Sequence, residues 1–460
     1  MKFCFDFTVI SLRLAWPKAL FAAAIWSRLD PRAKQASSRL LAMGIMAAVA
    51  GVGATAGFAP AAPGRENHVP TAVYCCHGYA NDTVSPSEAG PYVTWATTDR
   101  DGAEADRAAG IRHAVEYIDV GRVYRPDRAY PFVNGGKFAG ARAVNCSGQL
   151  IATSPEGFMT DPYKAETLDL LDDEIAYNYS SAYAAYFVDD VDSFRWGMQN
   201  GPPCRGTPAT PWAEPSASIA YAALLASVRV RVGSREVAPK IIINGLNQYA
   251  DKPAMHAFPL NTLRPANVIG GMCEGCFADN TPDTLKSGAE WQDDLDLEIK
   301  TVRMHKIFWD YVRYIANDPK ARLYTYASFM LAWDPDYTLY QTAYKPNSAG
   351  QLHVTPETQL VAHDPVKRGF DSVDALRDGD GDGTYVREYR NCSYRGQPIG
   401  SCAFVVNSDS AAHRAPRLSL EYRHTLTVEG GMVLEGGRAS LVGPQMPATI
   451  PAMTGFVLTR

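Results

Sequence analysis

The amino-acid sequence predicts a (β/α)8 TIM barrel of the α/β class, followed by a small antiparallel, β-sandwich-like C-terminal domain. Short apolar runs alternate with helical stretches between residues 71 and 333, as in a parallel sheet that helices cover on both faces. No G-x-G-x-x-G follows the first run, which disfavours an open dinucleotide-binding sheet and favours the barrel. After residue 385 the runs become short, alternating and punctuated by Gly, Pro and Asn, a pattern typical of antiparallel strands.

The predicted barrel strands are continuous apolar runs that end at glycine or polar residues. Two helices are predicted between them, at 215–233 after a Ser cap signal and at 287–318 as a long amphipathic stretch. In chain order the predicted strands are 71–80, 112–120, 142–152, 184–190, 240–247, 266–277 and 321–333.

The composition is that of a globular protein without a nucleic-acid partner. Of the 460 residues, 46% are hydrophobic and 20% are charged, and the formal net charge is −5. Binding to nucleic acid depends on an excess of Lys and Arg, which this chain lacks. The apolar content is enough for one large domain or two smaller ones.

The N-terminal region predicts export. The small, apolar segment 40–62 follows three basic residues and ends in Ala59-Pro60-Ala61, which fits a signal-peptidase site. Because Ala and Gly dominate this segment, it is a poor permanent anchor, and we expect membrane contact only through an uncleaved leader. The expected location is secreted or periplasmic. The resulting division is a leader with export signal at 1–65, a catalytic barrel at 66–384 and a β domain at 385–460.

The cysteines agree with export. Cys4 is lost with the leader, and the remaining eight form an even set, which predicts disulfides in an exported protein. Cys392 and Cys402 flank a Gly-containing turn between two extended runs and are the best candidate pair.

The other cysteines leave more than one pairing open. Pairing of the adjacent Cys75 and Cys76 with each other is strained, so we expect each to bond elsewhere, with Cys146 and Cys204 as candidates. The spacing Cys273-x-x-Cys276 also occurs in zinc and redox sites. No second C-x-x-C completes a four-cysteine site, however, and no metal is expected there.

Acidic residues follow the fourth and sixth predicted strands. Active residues of a (β/α)8 barrel lie at the carboxyl ends of its strands. The fourth strand ends in Asp189 and Asp190, with Asp192 close behind, and the sixth ends at Glu274. Strand alternation lets only one of Asp189 and Asp190 face the barrel axis. The alternative for the aspartates is a structural one, as a helix cap or as ligands of calcium.

Polar and aromatic residues at the ends of other strands are candidate substrate contacts. They are His77, Tyr79, Asp192, Asn244, Asn247, Trp333 and Asp334. Two carboxylates from different strands, with an amide between them and aromatic residues at the rim, suit glycoside hydrolysis. That reaction needs one carboxylic acid to protonate the leaving oxygen and one carboxylate to act as nucleophile or base.

A second acidic motif lies near the boundary between the two domains. Asp378, Asp380 and Asp382 alternate before Gly383, as at the start of a calcium loop. The closing acid belongs at the twelfth position, which is Tyr389. We therefore expect a solvated turn.

Four segments of the chain resemble a known family. They are YFVDDVDSF, IIINGLN, VIGGMCEGCF and YVREYRNCSYRGQPIGSCAFVVN. They are similar to the hypothetical glycoside-hydrolase-like barrels, in particular the family numbered fifteen, from about residue 70 to the end. The resemblance implies the barrel fold more firmly than an activity. The chain is also similar to α-galactosidase-type barrels, and that likeness implies Asp190 as nucleophile and Glu274 as general acid, although their acid is usually Asp.

The leading functional hypothesis is an exported glycoside hydrolase that cleaves a poly- or oligosaccharide without a cofactor. One alternative is a non-catalytic carbohydrate-binding barrel protein. A third is a metal-dependent polysaccharide deacetylase, for which VDDVD supplies an Asp pair but for which no H-x-x-x-H occurs. A pair of carboxylates facing each other within about 5–10 Å favours the hydrolase.

Overall fold

The computed structural model describes most of the chain from residue 69 onward. Gly64–Arg460 forms one compact unit. The predicted leader and several shorter internal segments lie outside the described residues. The described residues are 69–77, 90–98, 102–119, 122–124, 139–154, 157–189, 191, 201–246, 257–278, 284–313, 318–343, 354–367, 370–378, 383–433, 436–443 and 446–460.

Eight parallel strands close into a barrel, which confirms the predicted TIM fold. Each strand pairs with the next in the chain, and the last pairs with the first. The strands are β1 Thr71–His77, β2 Val93–Thr98, β3 His113–Asp119, β4 Ala185–Asp189, β5 Ile241–Asn244, β6 Val268–Glu274, β7 Ile307–Arg313 and β8 Thr338–Ala343.

Side-chain alternation along the strands divides the apolar residues between the barrel interior and the surrounding helices. On β4, Phe187 packs with the apolar side chains inside the barrel, which form the interior cluster. Tyr186 and Val188 pack with the apolar side chains between the barrel and the helices, which form the outer cluster. The Phe187 ring meets the Trp309 ring edge-on at 5.5 Å between centroids. The barrel interior is therefore packed with side chains below its carboxyl edge.

Helices occupy most of the connections between strands. They are α1 Gly102–Ala108, α2 Ala165–Tyr177, α3 Glu214–Ser227, α4 Ala257–Thr262, α5 Gly288–Arg303 and α6 Pro319–Ala332. Among the described residues, short 3-10 helices lie at Ala139–Ala141, Pro356–Gln359 and Val373–Leu376. Short strands in the connections pair with one another at Arg122–Tyr124, Ala152–Ser154 and Gly157–Met159, at Cys204–Arg205 and Thr210–Pro211, and at Val230–Val232 and Arg235–Val237. Among the described residues, no helix combines the length and the apolarity that crossing a bilayer requires.

Two predicted strands are wrong. Residues 142–152 lie in the connection between β3 and α2, where they form isolated antiparallel pairs. Residues 321–333 belong mainly to α6, which begins after Asp318 caps the Lys320 amide and Pro319 fills the first turn. Because almost every residue of α6 is buried, the helix lacks the polar face that would reveal its period.

The predicted helix 287–318 contains a helix and a strand. Helix α5 ends at Arg303, and His305 follows with a left-handed φ of 55°, which turns the chain into β7. The apolar residues of β7 continue the amphipathic pattern of α5, so the sequence does not mark the change. Strands β2 and β8 were not predicted either.

The C-terminal part is a six-stranded antiparallel sheet, as predicted. In chain order its strands are β9 Leu360–Pro365, β10 Thr384–Tyr394, β11 Gln397–Asn407, β12 His424–Glu429, β13 Arg438–Val442 and β14 Thr454–Thr459. Across the sheet they follow the order β9, β10, β11, β14, β12, β13. The sheet begins at Leu360, before the predicted start at residue 385. A short ribbon of His413–Arg414 and Thr449–Ile450 lies beside it.

Helix α6 packs against one face of this sheet. The Tyr326 ring meets the Phe404 ring of β11 edge-on at 6.1 Å between centroids, and the Tyr389 hydroxyl donates to the Met330 carbonyl at 2.8 Å. The fully buried Arg322 of α6 donates through Nε to Glu357 Oε1 at 2.9 Å. The barrel and the sheet therefore share α6 as part of one apolar core.

Three disulfides are found among the described cysteines. The predicted Cys392–Cys402 bond is confirmed, and it joins β10 to β11. Cys146 bonds Cys204, so the expectation that these two pair with Cys75 and Cys76 is wrong. The side chains of Cys75 and Cys76 lie outside the described residues. Cys273 bonds Cys276 across two residues.

Two carboxyl groups are fully buried between the barrel wall and α5. Glu298 of α5 and Asp310 of β7 have no exposed surface, and neither makes a hydrogen bond among the described residues. Burial raises the pKa of both well above the usual range. The charge of Asp310 raises the pKa of Glu298 further while Arg387 lowers it, and Asp294 raises the pKa of Asp310 while Lys286 lowers it. Both groups therefore hold their protons to higher pH in the folded chain than in the unfolded chain.

Raising the pH should destabilise the fold through these two groups. The folded chain binds protons at pH values where the unfolded chain has released them. The free energy of unfolding therefore falls as pH rises from the ordinary carboxyl range toward the folded-state pKa, by up to about 1.4 kcal/mol per pH unit for each group. Glu298→Gln with Asp310→Asn should remove this slope, measured by denaturant unfolding from about pH 5 to about pH 8.

The matched control is Asp371→Asn, because the Asp371 side chain is 87% exposed. This variant should keep the wild-type slope. An equal slope in the wild type and the double variant would contradict the assignment of buried, protonated carboxyls.

The close packing of α6 on the sheet gives a second prediction. A Cβ at Gly455 of β14 would lie 2.5 Å from the Leu323 carbonyl oxygen and 2.7 Å from the Tyr324 Cα. Because the helix backbone cannot yield locally, we expect Gly455→Ala to lower the free energy of unfolding by about 1–3 kcal/mol. A Cβ at Gly443 would have no neighbouring heavy atom within 4 Å, so Gly443→Ala serves as the control in the same denaturant titration. Equal stabilities of the two variants would contradict this packing.

Candidate active site

Three polar side chains end three neighbouring barrel strands. Asp189 is the last residue of β4, Asn244 of β5 and Glu274 of β6. Since the strands are parallel, their last residues meet at the carboxyl edge of the barrel. Each follows, two positions later, a residue of the interior apolar cluster, so alternation turns all three side chains inward. Those interior residues are Phe187, Ile242 and Met272.

The Asn244 amide joins the two carboxylates. Its Nδ2 donates one hydrogen bond to Asp189 Oδ1 at 2.7 Å and another to Glu274 Oε2 at 2.8 Å. Because both oxygens contact one nitrogen, they are at most 5.5 Å apart, the sum of the two distances. All three residues are buried, and Asp189 and Glu274 are 7% and 9% exposed. The amide fixes the spacing of two acids in a place with little solvent.

The negative charge of the two carboxylates decides which side-chain atom of Asn244 is the nitrogen and which is the oxygen. The NH2 group has two hydrogens for two carboxylate oxygens, whereas an amide oxygen in its place would face two other acceptors. Asn244 Oδ1 is buried and makes no hydrogen bond to any residue that the structure describes. This atom is an acceptor that a hydroxyl group of a ligand could satisfy.

Tyr117 of β3 also contacts Asp189. Its hydroxyl donates to Asp189 Oδ2 at 2.6 Å, and its ring stacks on Phe187 at 6.1 Å between centroids. Both Asp189 oxygens therefore accept a hydrogen bond. Tyr117 was absent from the predicted site, and the sequence signal for it is the alternation of β3, which places it on the same face as Val115.

Aromatic side chains of β7 line the interior beside the carboxylates. Tyr311 pairs in register with Glu274 and is buried. Below it, the Trp309 indole nitrogen donates to Gln341 Oε1 of β8 at 3.0 Å. The barrel beneath the acids is thus closed by packed rings.

The structure brings together three of the predicted site residues, namely Asp189, Asn244 and Glu274. His77 ends β1 at the same edge of the barrel, but its side chain lies outside the described residues. Four further predicted residues also lie outside them and stay predictions. These are Tyr79, Asp190, Asp192 and Asn247.

Trp333 and Asp334, which were predicted at the carboxyl end of a strand, do not lie beside the carboxylates. Both follow α6 and precede β8, so they lie at the amino edge of the barrel, opposite the carboxylates. Trp333 is buried, and its indole nitrogen donates to the Ala362 carbonyl at 2.8 Å. The Asp334 carbonyl accepts from the Thr338 hydroxyl at 2.7 Å in the turn that starts β8. The error comes from the interpretation of 321–333 as a strand.

One described group of side chains has spacing suitable for a metal ion. Ligand atoms of Cys273, Cys276 and Asp294 lie within 4.8 Å of one another on the outer side of β6, and the two sulfurs form a disulfide. In the acidic segment before Gly383, Asp380 and Asp382 lie outside the described residues, so the solvated turn expected there stays a prediction.

Replacement of Asn244 tests the shared amide without an activity assay. Asn244→Asp places a third carboxylate between Asp189 and Glu274, so we expect the free energy of unfolding to fall by about 2 kcal/mol at neutral pH. Acidification to about pH 4 should restore much of this loss, because the added group then becomes a hydrogen-bond donor. Calorimetric melting at both pH values measures the effect. Asn178→Asp, at the C-terminus of α2, is the control, and equal losses in both variants would contradict the contact.

The chain has similarities among solved structures. No protein-family model and no curated protein match it, so the resemblance to barrel family fifteen stays a prediction. The glycoside hydrolase domain of PelA from Pseudomonas aeruginosa is 12% identical with a TM-score of 0.38, over 62% of this chain and 98% of that one. Aspergillus fumigatus Ega3 in complex with galactosamine is 10% identical with a TM-score of 0.36, over 62% of this chain and 94% of that one. Eubacterium rectale Amy13B is 7% identical with a TM-score of 0.40, over 86% and 96%. At these values the function has to be inferred from the geometry of the site.

Proposed function

We propose that the chain is an exported, retaining glycoside hydrolase that cleaves a poly- or oligosaccharide. Asp189 is the nucleophile and Glu274 is the general acid and base. The observation that carries this proposal is the Asn244 amide, which donates to both carboxylates and holds them side by side at the carboxyl edge of the barrel. Asp189 takes the role that the sequence resemblance gave to Asp190.

The spacing of the two acids supports retention of configuration. In retaining glycosidases the carboxyl groups are about 5–5.5 Å apart, whereas inverting enzymes need about 6.5–9.5 Å to place a water molecule. The upper limit of 5.5 Å between Asp189 Oδ1 and Glu274 Oε2 agrees with the first class.

Hydrogen bonding supports the division of roles. Asp189 accepts from the Tyr117 hydroxyl and from the Asn244 amide, and two donors stabilise its negative charge. A charged carboxylate held in one orientation is suited to attack the anomeric carbon. Glu274 then acts as the partner that carries the proton.

The reaction proceeds in two steps. An Asp189 oxygen forms a bond to the anomeric carbon as the glycosidic C–O bond breaks, and Glu274 gives its proton to the departing oxygen. Glu274, now a carboxylate, takes a proton from water, whose oxygen replaces Asp189 at the same carbon. Because both acids are nearly buried, the fixed donors Tyr117 and Asn244 act in a site of low dielectric, where they stabilise charge more strongly than in water.

The disulfides support export. Three disulfides lie among the described residues, and such bonds persist mainly in oxidising compartments. An exported chain with this site meets carbohydrate outside the cytoplasm as its substrate.

Azide rescue tests the two roles separately. The purified chain is first screened against a panel of polysaccharides and aryl glycosides, and the anomer released first is identified by NMR. We expect retention, and losses of at least about 100-fold for Asp189→Gly and Glu274→Ala on natural substrates. With an activated aryl glycoside, azide should restore turnover of both variants. It should give a glycosyl azide of inverted configuration with Asp189→Gly and of retained configuration with Glu274→Ala.

Asp190→Asn is the matched control and should keep most of the activity. Loss of activity in this variant, with Asp189→Gly still active, would move the nucleophile to Asp190. Release of the inverted anomer would contradict the retaining mechanism. Binding without sugar release, unchanged in all variants, would replace the hydrolase with the carbohydrate-binding alternative.

A further inference from the structure

Glu274 lies within a disulfide loop. Cys273 precedes it and faces the helices, and the chain returns at Cys276 to close the bond on the same outer side of β6. Both sulfurs are fully buried in the apolar cluster between the barrel and α5. Glu274, the proposed acid, therefore points into the barrel. The two cysteines of the same turn point outward and are joined by the disulfide.

The backbone after Glu274 is held by further contacts. The Gly275 amide donates to the Tyr311 carbonyl of β7 at 2.8 Å, and Gly275 has a φ of 92°, which favours glycine. Phe277 follows in the left-handed region with a φ of 59°. A turn with these dihedral angles needs external anchors in order to stay in one conformation.

Asp294 of α5 supplies the anchor behind the disulfide. One of its oxygens, Oδ2, accepts from the Phe277 amide at 2.8 Å and from Lys286 Nζ at 2.8 Å. Asp294 has no exposed surface, and one of its oxygens lies within 4.8 Å of both cysteine sulfurs. Helix α5 thus holds the turn that follows Glu274 from the outer side of the barrel.

We propose that the Cys273–Cys276 disulfide and Asp294 are positioning residues that keep the Glu274 carboxyl group at reaction distance from Asp189. This inference rests on the proposed function, because it assigns to these residues a role in the same reaction. Neither cysteine nor Asp294 touches the substrate. They act by fixing the backbone from which the Glu274 side chain extends.

A loosened turn should harm the chemical step more than substrate binding. Displacement of a catalytic group by about 1 Å can cost about 100-fold in rate. We expect Cys273→Ala with Cys276→Ala to lower kcat about 10- to 100-fold and to change KM less than about twofold. The pH profile of kcat should also change, because proton transfer depends on the position of Glu274 relative to the substrate and Asp189.

The chain offers a matched control for loss of a disulfide. Cys392→Ala with Cys402→Ala removes the bond between β10 and β11 of the C-terminal sheet, which carries none of the proposed catalytic residues. This variant should lose stability but keep the wild-type kcat and pH profile. Asp294→Ala should resemble the loss of Cys273 and Cys276. Asp294→Asn, which still accepts from the Phe277 amide, should recover most of the rate.

The crystal structures of both disulfide variants separate this inference from the proposed function. In the variant that lacks Cys273 and Cys276, the 2.8 Å contact between Asn244 Nδ2 and Glu274 Oε2 should be lost, whereas the control should keep it. Retention of this contact, or wild-type kcat and pH profile in a folded variant, would overturn the positioning role. If the wild-type chain releases no sugar, the proposed function fails, and the contact alone then decides the positioning role.

Discussion

The site depends on one amide that contacts two carboxylates. Asn244 can donate to Asp189 and Glu274 at once only because β4, β5 and β6 are neighbouring strands and the last side chain of each points into the barrel. A change of one residue in the length of any of these strands would turn its last side chain toward the helices. The barrel closure and the packed rings beneath, Phe187 and Trp309, hold the three strand ends at the same level. The chemistry follows from this shared geometry.

Helix α6 explains why the C-terminal sheet belongs to the structure of the barrel. Its residues pack on β8 as well as on the sheet, for example through Tyr326, whose ring meets those of Tyr340 and Phe404. Arg322 adds a buried ion pair with Glu357, and it also donates to the Gly430 carbonyl beyond β12. A helix buried on all sides cannot stay folded without both of its neighbours, so the barrel and the sheet stabilise each other.

The sequence predicted the part of the site that depends on strand ends. Apolar runs that stop at Asp189, Asn244 and Glu274 are visible because β4, β5 and β6 are buried on both faces. Tyr117 was missed because the sequence pattern of a strand does not distinguish an aromatic residue of the core from one that contacts an active-site carboxylate. Strand β7 was misassigned because its apolar residues continue the amphipathic pattern of α5. Helix α6 was misassigned because it is buried so completely that it shows no polar period. Trp333 was misplaced as a result. A residue that follows a barrel strand lies at the carboxyl edge of the barrel, whereas one that follows a helix lies at the amino edge.

The Cys146–Cys204 disulfide has a consequence for the motion of the loops. Cys146 lies in the connection after β3 and Cys204 in the connection after β4, the two strands that carry Tyr117 and Asp189. Backbone pairing of Asn145 with Pro203, and a hydrogen bond from the Cys204 amide to the Val144 carbonyl, reinforce the covalent link. The described segments around Cys146 and Cys204 are therefore tethered to each other, so a displacement of one carries the other with it.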